Sequence, residues 1–364
     1  MITQNLAQPN LHLRSEDQLL FLCTRQDFLD IHRQAILEIC RNNSIRWDYI
    51  YSTAMLHQVA PLVYANLLQC LDVGLSIPDE TLKKFQASRV YNFVGKEDRT
   101  EKIAEALSFF HHKGIDVMLV KGAVLDILVY AESWNTISDD VDLIIKNKES
   151  ELSDQDKQEI SRFFEDIAHS DSRCPPFEVE YFAHHDLMMD GALPLDFSRI
   201  WADAVTIQFE GQPVFIMAAE DMLISACINS CRKRYFRLKA ILDIVAIIAK
   251  TPDLNWDEVV RKAKAYDCHN IVYTALLIAD LTLSCDLPAG LLDRFGVNPI
   301  RAKIIGVLSR KMCWSSLDTL YSGRKVLGRR IALWLLLPYA TYRPYQIWRK
   351  FKYVYQTRNA WWLK

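Results

Sequence analysis

Apolar positions along the first hundred residues recur at helical spacing. Phe28, Ile31, Ala35, Ile36 and Ile39 fall on one side of an amphipathic helix, and helical patterning is expected from residue 15 to about 104. Ser15-Glu16-Asp17-Gln18 ahead of Leu19-Leu20 has the Ser-x-x-Gln form of a capping box, which predicts a helix start. From about Asp98 to Met217 the pattern changes. A helix through Ile103 and Phe110 leads to the apolar run 115–120, which reads as a buried strand. Lys121-Gly122-Ala123 then turns the chain into a helical stretch over 124–130. Val141-Asp142-Leu143-Ile144-Ile145 predicts a second strand, and residues 151–167 a helix. Residues 177–181 and 184–189 read as strands, and Gly191-Ala192 marks a turn before a strand carrying Asp196. Residues 205–209 and 214–216 form a hairpin around Glu210-Gly211. After Ala219 the helical period returns, with helices expected over 220–231 and 236–249 and further ones to about Leu292.

The helical stretches repeat. Trp47-Asp48, Ala54, Leu62-Val63-Tyr64 and Leu67 match Trp256-Asp257, Ala263, Ile271-Val272-Tyr273 and Leu276, all 209 residues further on. Two helical units of one type are expected to bracket the α/β segment, with Trp47 and Trp256 anchoring helix packing. A duplicated ligand site is the weaker reading. The expected division is a helical region over 1–97, an α/β core over 98–217, a helical domain over 218–318 and a tail over 319–364.

Composition narrows the class. With 364 residues, half of them hydrophobic, the chain has ample material for a sizeable core. The nine cysteines show no metal or disulfide spacing; Cys227 and Cys231 are i, i+4 without a third partner nearby, so reduced thiols are expected. No secretory leader is visible, and the apolar run 331–337 is too short to span a bilayer. A cytoplasmic location is expected. The net charge of −2 hides an asymmetry: residues 319–364 carry ten Lys and Arg and no acid, and the rest carries 33 basic against 45 acidic residues.

Candidate chemistry centres on Asp140-Val141-Asp142. On a strand, residues i and i+2 project from one face, and paired carboxylates there suit a divalent cation together with substrate phosphates. A bare Asp-x-Asp is more often a solvated turn. Here Lys121-Gly122 precedes it and Asp196 follows on an expected strand. Glycine after a strand lets backbone N–H groups approach a phosphate, and Lys121 would neutralise its charge. The bland reading of that dipeptide is an ordinary strand-to-helix turn. Arg232, Lys233, Arg234, Arg237 and Lys239 form a basic cluster that suits phosphates or a solvated turn equally. His184 and His185 read as structural, and Asp139 as a loop residue.

Lys121-Gly122, Ser138-Asp139-Asp140-Val141-Asp142-Leu143 and Leu195-Asp196-Phe197 together resemble the polymerase-β-type nucleotidyltransferases, and more closely the bacterial family of uncharacterised nucleotidyltransferases, over roughly residues 30–350. The resemblance implies an α+β fold, a small mixed-sheet core flanked by helical regions. It implies Mg²⁺- or Mn²⁺-dependent transfer of an NMP group from an NTP to an acceptor hydroxyl. Asp140, Asp142 and Asp196 would be the catalytic metal ligands, and Lys121, Gly122, Arg237 and Lys239 would bind the nucleotide. Four positions depart from the family pattern: Ala123 replaces a serine or glycine, Thr136 an arginine, and Phe197-Ser198 a Leu-His. The acceptor is open among a small molecule, a sugar or lipid intermediate, a peptide, a protein and RNA.

In the tail, Trp and Tyr interleave with Arg and Lys, for instance Tyr345, Trp348, Arg349, Lys350 and Phe351. This suits peripheral contact of residues 326–362 with an anionic membrane, nucleic-acid binding, or packing on the acidic body. The second functional reading is a catalytically weak nucleotide-binding or scaffold protein that docks through this tail.

Overall fold

The computed structural model describes residues 13–130, 132–138, 140–170, 176–184, 187–189, 191–313, 341, 342 and 346. The helices α1 (Ser15–Cys23), α2 (Asp30–Asn42), α3 (Trp47–Leu56), α4 (Ala60–Leu71) and α5 (Asp79–His112) come first. The α/β segment follows: β1 (Val117–Val120), α6 (Gly122–Leu128), β2 (Val141–Ile145), α7 (Asp154–Ser170), β3 (Phe177–Tyr181), α8 (Phe197–Ala202), β4 (Val205–Phe209) and β5 (Gln212–Ile216). Then come α9 (Ala219–Arg232), α10 (Leu238–Lys250), α11 (Trp256–Ala265), α12 (His269–Leu283), α13 (Leu291–Arg294) and α14 (Pro299–Cys313). The fold is α+β, a mixed sheet flanked by helices, as the sequence predicts.

The sheet order is β3-β2-β1-β5-β4. β2 runs antiparallel to β1 and parallel to β3, which sets Asp142 opposite Val120 on one side and opposite Glu178 on the other. β5 lies parallel to β1 and closes the β4–β5 hairpin through Glu210 and Gly211, both at positive φ. Alternation then sorts β2: Val141, Leu143 and Ile145 face Leu107 and Phe110 of α5 and Ile160 of α7. Asp142 and Ile144 face the other way, where Ile144 joins a second core that also holds both helical regions.

Helix α5 explains a break in the apolar pattern. Its buried stripe runs Thr81, Phe85, Asn92, Lys96, Arg99, Ile103, Leu107 and Phe110. The stripe is continuous at helical spacing but charged in its middle, so apolar periodicity fades near the expected boundary at 97/98 while the helix runs through it for 34 residues. Its ends pack on apolar neighbours. Its centre lies under the loop that leads into β2.

Three local expectations are corrected. Ser15 caps nothing: it is the first helical residue, Arg14 precedes it, and Gln18 Nε2 donates to Leu13 O at 3.0 Å. Of the strand expected at 184–189, the described residues 187–189 form a turn. The strand expected at Asp196 is a helix start: Pro194 cannot donate to a ladder, and Asp196 Oδ1 accepts from Arg199 N at 3.2 Å as the N-cap of α8.

The repeat is real in three dimensions. α3 and α11 begin at Trp47 and Trp256, and α4 and α12 begin at Ala60 and His269, each pair 209 residues apart. α1 packs on α2, α3 and α4 just as α9 packs on α10, α11 and α12. Of the tail, only Thr341, Tyr342 and Gln346 are among the described residues, and all three touch the second unit or are buried: Arg301 donates to Tyr342 O at 3.2 Å and Gln346 Nε2 to Asp267 O at 2.7 Å. The remainder of the stretch expected to meet a membrane, 326–362, lies outside the described residues. Among those described, no helix is long and apolar enough to cross a membrane.

Candidate active site

Three carboxylates converge where β2 begins. Asp140, Asp142 and Glu178 each present an oxygen within 4.8 Å of the others. The cause is register. Asp140 and Asp142 share a face by alternation, and the parallel β2–β3 pairing puts Glu178 beside Asp142. Asp142 is buried, Asp140 half-buried and Glu178 exposed. Asp196, expected as the third acid, is instead exposed at the start of α8 and is not a member of this group. Glu178 was legible in part. Phe177-Glu178-Val179-Glu180-Tyr181 alternates cleanly, but only the pairing shows which acid pair it joins.

Asp142 is the electrostatic centre. Lys121 Nζ donates to its Oδ1 at 2.7 Å, and His184 Nε2 lies 3.2 Å from the same oxygen. Its Oδ2 is buried and has no hydrogen-bond partner among the described residues. Burial pushes the Asp142 carboxyl up, yet the hydrogen bond from His184 and the Lys121 ammonium outweigh it and hold the group below the usual carboxylate range. Glu178 moves the other way. Partial burial and the neighbouring Asp142, through its charge and a side-chain hydrogen bond that favours the protonated form, raise it, with Asp140 adding to the effect. Crowded acids with one bare buried oxygen suit a divalent cation with hard-oxygen preference, because it relieves their repulsion and satisfies that oxygen.

Lys121 reaches Asp142 through an unusual backbone. It sits at φ 55°, ψ −132° between β1 and α6, a region that costs a non-glycine residue about 1–3 kcal/mol. That turn folds its side chain back across Asp142, and its ammonium also lies 4.0 Å from Glu178. Gly122 has a packing reason to be glycine: a Cβ there would stand 2.4 Å from Ser138 Oγ.

The loop before Asp140 is held from below by α5 and by the first helical unit. Asn92 donates to the carbonyls of Trp134 (2.6 Å) and Thr136 (2.9 Å). Arg99 donates to Ser138 O, and Ile137 N to Gln58 O at 3.2 Å. Thr136 is fully buried, with Oγ1 3.4 Å from Asp126 Oδ1. Asp126 in turn receives Lys96 and Arg99. Burial, offset in part by Asp126, brings the Lys96 ammonium down to about 8. Cations from α5 therefore stand under the loop where the family pattern led us to expect an arginine in it. Of the other expected nucleotide-binding residues, Lys239 is buried against Asp243 (2.9 and 3.1 Å), and Arg237 Nη1 donates to Gln58 Oε1 at 2.8 Å. A cleft opens beside Lys121 and Gly122, lined by Met222, Ser225 and Asn229 of α9 and Asp243 of α10.

The family model for uncharacterised nucleotidyltransferases matches residues 43–284, from just before α3 to just after α12. The chain belongs to that family. No curated protein and no solved structure matches it. Membership in a nucleotidyltransferase family gives the acid cluster its context, and the matched span takes in both copies of the repeated helix pair as well as the sheet.

Proposed function

We propose that the chain transfers an NMP group from an NTP to an acceptor hydroxyl at the cluster of Asp140, Asp142 and Glu178. The observation that carries the reading is Asp142 Oδ2, a buried carboxylate oxygen with no hydrogen-bond partner among the described residues, beside two further acids, in a chain of this family. The three acids would hold Mg²⁺ or Mn²⁺, which in such a site neutralises phosphate charge and lowers the proton affinity of a bound hydroxyl. Lys121, with His184, donates to Asp142, and its ammonium adds positive charge on the approach from the cleft. In the mostly apolar lining of the cleft, Ser225 and Asn229 would offer the nucleotide polar contacts next to Gly122. Glu178, the most exposed of the acids, is the group an incoming acceptor meets. In the reaction the acceptor oxygen bonds to the α-phosphorus, the α–β bridging P–O bond breaks, pyrophosphate leaves with that electron pair, and the hydroxyl proton passes to a carboxylate.

Calorimetric titration of ATP, GTP, CTP and UTP in the presence of Mg²⁺ tests this. Metal-dependent binding of a nucleotide to the wild type, lost in Asp142→Asn, is expected. Pyrophosphate release with the right acceptor should fall roughly 1,000-fold in that variant, the equivalent of several kcal/mol of charge stabilisation. Unchanged nucleotide binding in Asp142→Asn would remove the basis for placing the reaction at this cluster.

A further inference from the structure

His184 sets the geometry of Asp142. The strand β3 ends at Tyr181 and the backbone reverses at once: Phe182 takes φ 63°, its N–H donates to Ile145 O at 2.6 Å, and its carbonyl accepts from Trp201 Nε1 at 3.0 Å. A positive φ at phenylalanine costs about 1–3 kcal/mol, so the surrounding contacts hold this turn against its local preference. The turn carries the His184 ring to a site where it is only 1% exposed, between two carboxylates. Nε2 lies 3.2 Å from Asp142 Oδ1, and Nδ1 lies 3.3 Å from Glu180 Oε1. An ionised carboxylate only accepts, so Nε2 is the donor in the first contact.

Two donors, Lys121 Nζ and His184 Nε2, thus meet on one oxygen of Asp142, and the other oxygen has no partner among the described residues. Lys121 is a flexible side chain whose bond alone leaves the carboxylate free to turn about its last torsion. The imidazole is a rigid ring and is almost fully buried. We infer that His184 is a positioning residue for the metal site, fixing the Asp142 carboxylate so that Oδ2 is presented to the cation; this rests on the proposed function above. Groups that orient a metal ligand in this way are typically worth 10- to 100-fold in metal affinity.

The test is titration of the full-length chain with Mn²⁺ alone, followed by electron paramagnetic resonance, on the wild type, Asp142→Asn, His184→Gln and His184→Phe. Glutamine keeps an N–H donor at nearly the Nε2 position, and phenylalanine keeps the ring and loses the donor. Mn²⁺ binding weakened 10- to 100-fold in His184→Phe and restored to within a few-fold in His184→Gln, at matched melting temperatures in EDTA, is the expected result. Should His184→Phe fail to fold, His184→Asn takes its place, because its amide is too short to reach Asp142. Wild-type affinity in the donor-less variant, with binding lost in Asp142→Asn, would overturn the role of His184 and leave the proposed site standing. Equal Mn²⁺ binding by the wild type and Asp142→Asn would overturn both.

Discussion

The two helical units share a backbone and differ in what their turns hold. In the first, Ala54, Val63 and Leu67 are buried; in the second, Ala263, Val272 and Leu276 are buried at the matching positions. Both turns close with the same hydrogen bond, Val59 N to Ala54 O and Cys268 N to Ala263 O, each 2.9 Å. Both place one non-glycine residue at positive φ, Gln58 at 61° and Asp267 at 53°. What the turns contact has diverged. The first turn serves the site: Gln58 O receives the N–H of Ile137 in the loop before Asp140, and His57 Nδ1 receives the N–H of Leu238 at the start of α10, at 3.2 Å. The second turn serves the second unit itself: Tyr266 OH donates to Asp221 at 3.3 Å, and Asp267 O receives Gln346. Apolar positions are bound by the shared packing, and the turn residues answer to whichever neighbour each copy meets.

The largest expected difference lies at the pair Thr53 and Lys262. Both are buried, but Lys262 is an internal cation held by Asp221 and by Asp203 at 2.8 Å. Lys262→Met leaves the buried Asp221 short of its cation and should cost about 3–5 kcal/mol, whereas Thr53→Val should stay under about 1.5 kcal/mol in a denaturant melt. Equal losses would mean the two positions are equivalent in energy as well as in place.

Leu67→Ala and Leu276→Ala probe what the units share. Each should destabilise by about 2–5 kcal/mol. Because both lie in one continuous core with the sheet, each should shift a single transition. A separate early transition in either variant would show that its unit unfolds alone.

Gln58→Gly and Asp267→Gly compare the turns directly, since glycine accepts positive φ at both. The first loses the side-chain hydrogen bond from Arg237 and frees the backbone of the turn whose carbonyl still receives Ile137 N–H, so nucleotide-dependent turnover should fall several-fold with about 1 kcal/mol of stability. The second should lower stability by a similar amount and leave turnover unchanged. Turnover affected equally in both would remove the functional distinction between the turns.

The smallest effect is acid sensitivity in the first unit. Burial raises the Glu16 carboxyl, but hydrogen bonds from Arg46 outweigh it and hold the group below its ordinary value. A folded-state value below the unfolded one gives stability that is present above about pH 4.5 and lost as pH falls through the folded value. Arg46 is largely exposed, so the loss should be about 0.5–1 kcal/mol. Glu16→Gln should flatten it, as read by hydrogen exchange in α1 and α3 between pH 5 and 3.

Much of the fold was legible because its signals are local. The hairpin around Glu210-Gly211 and the helices after Ala219 follow from periodicity and turn chemistry within short windows, and the repeat from matching residues 209 positions apart. The strand expected at Asp196 had local signals against it. Asp196 sat in an apolar setting that suits a strand, yet its capping bond and Pro194 made it a helix start. The charged centre of α5, by contrast, breaks the apolar stripe because that part of the helix answers to a distant loop and not to an apolar core.

The sequence by itself determined that Asp140 and Asp142 share a face of a buried strand, that Lys121-Gly122 precedes them at a chain reversal, and that two helical units flank the sheet. Alternation, helical period and turn preference act between near neighbours, so these follow from the order of residues alone. Only the tertiary structure decided that Glu178 joins the pair, that His184 and Lys121 meet on one oxygen of Asp142, and that α5 and the first turn hold the loop beneath. Those contacts depend on which strands pair, in what register, and how a turn is held against its local preference, and such energies exist only once distant parts of the chain have packed together.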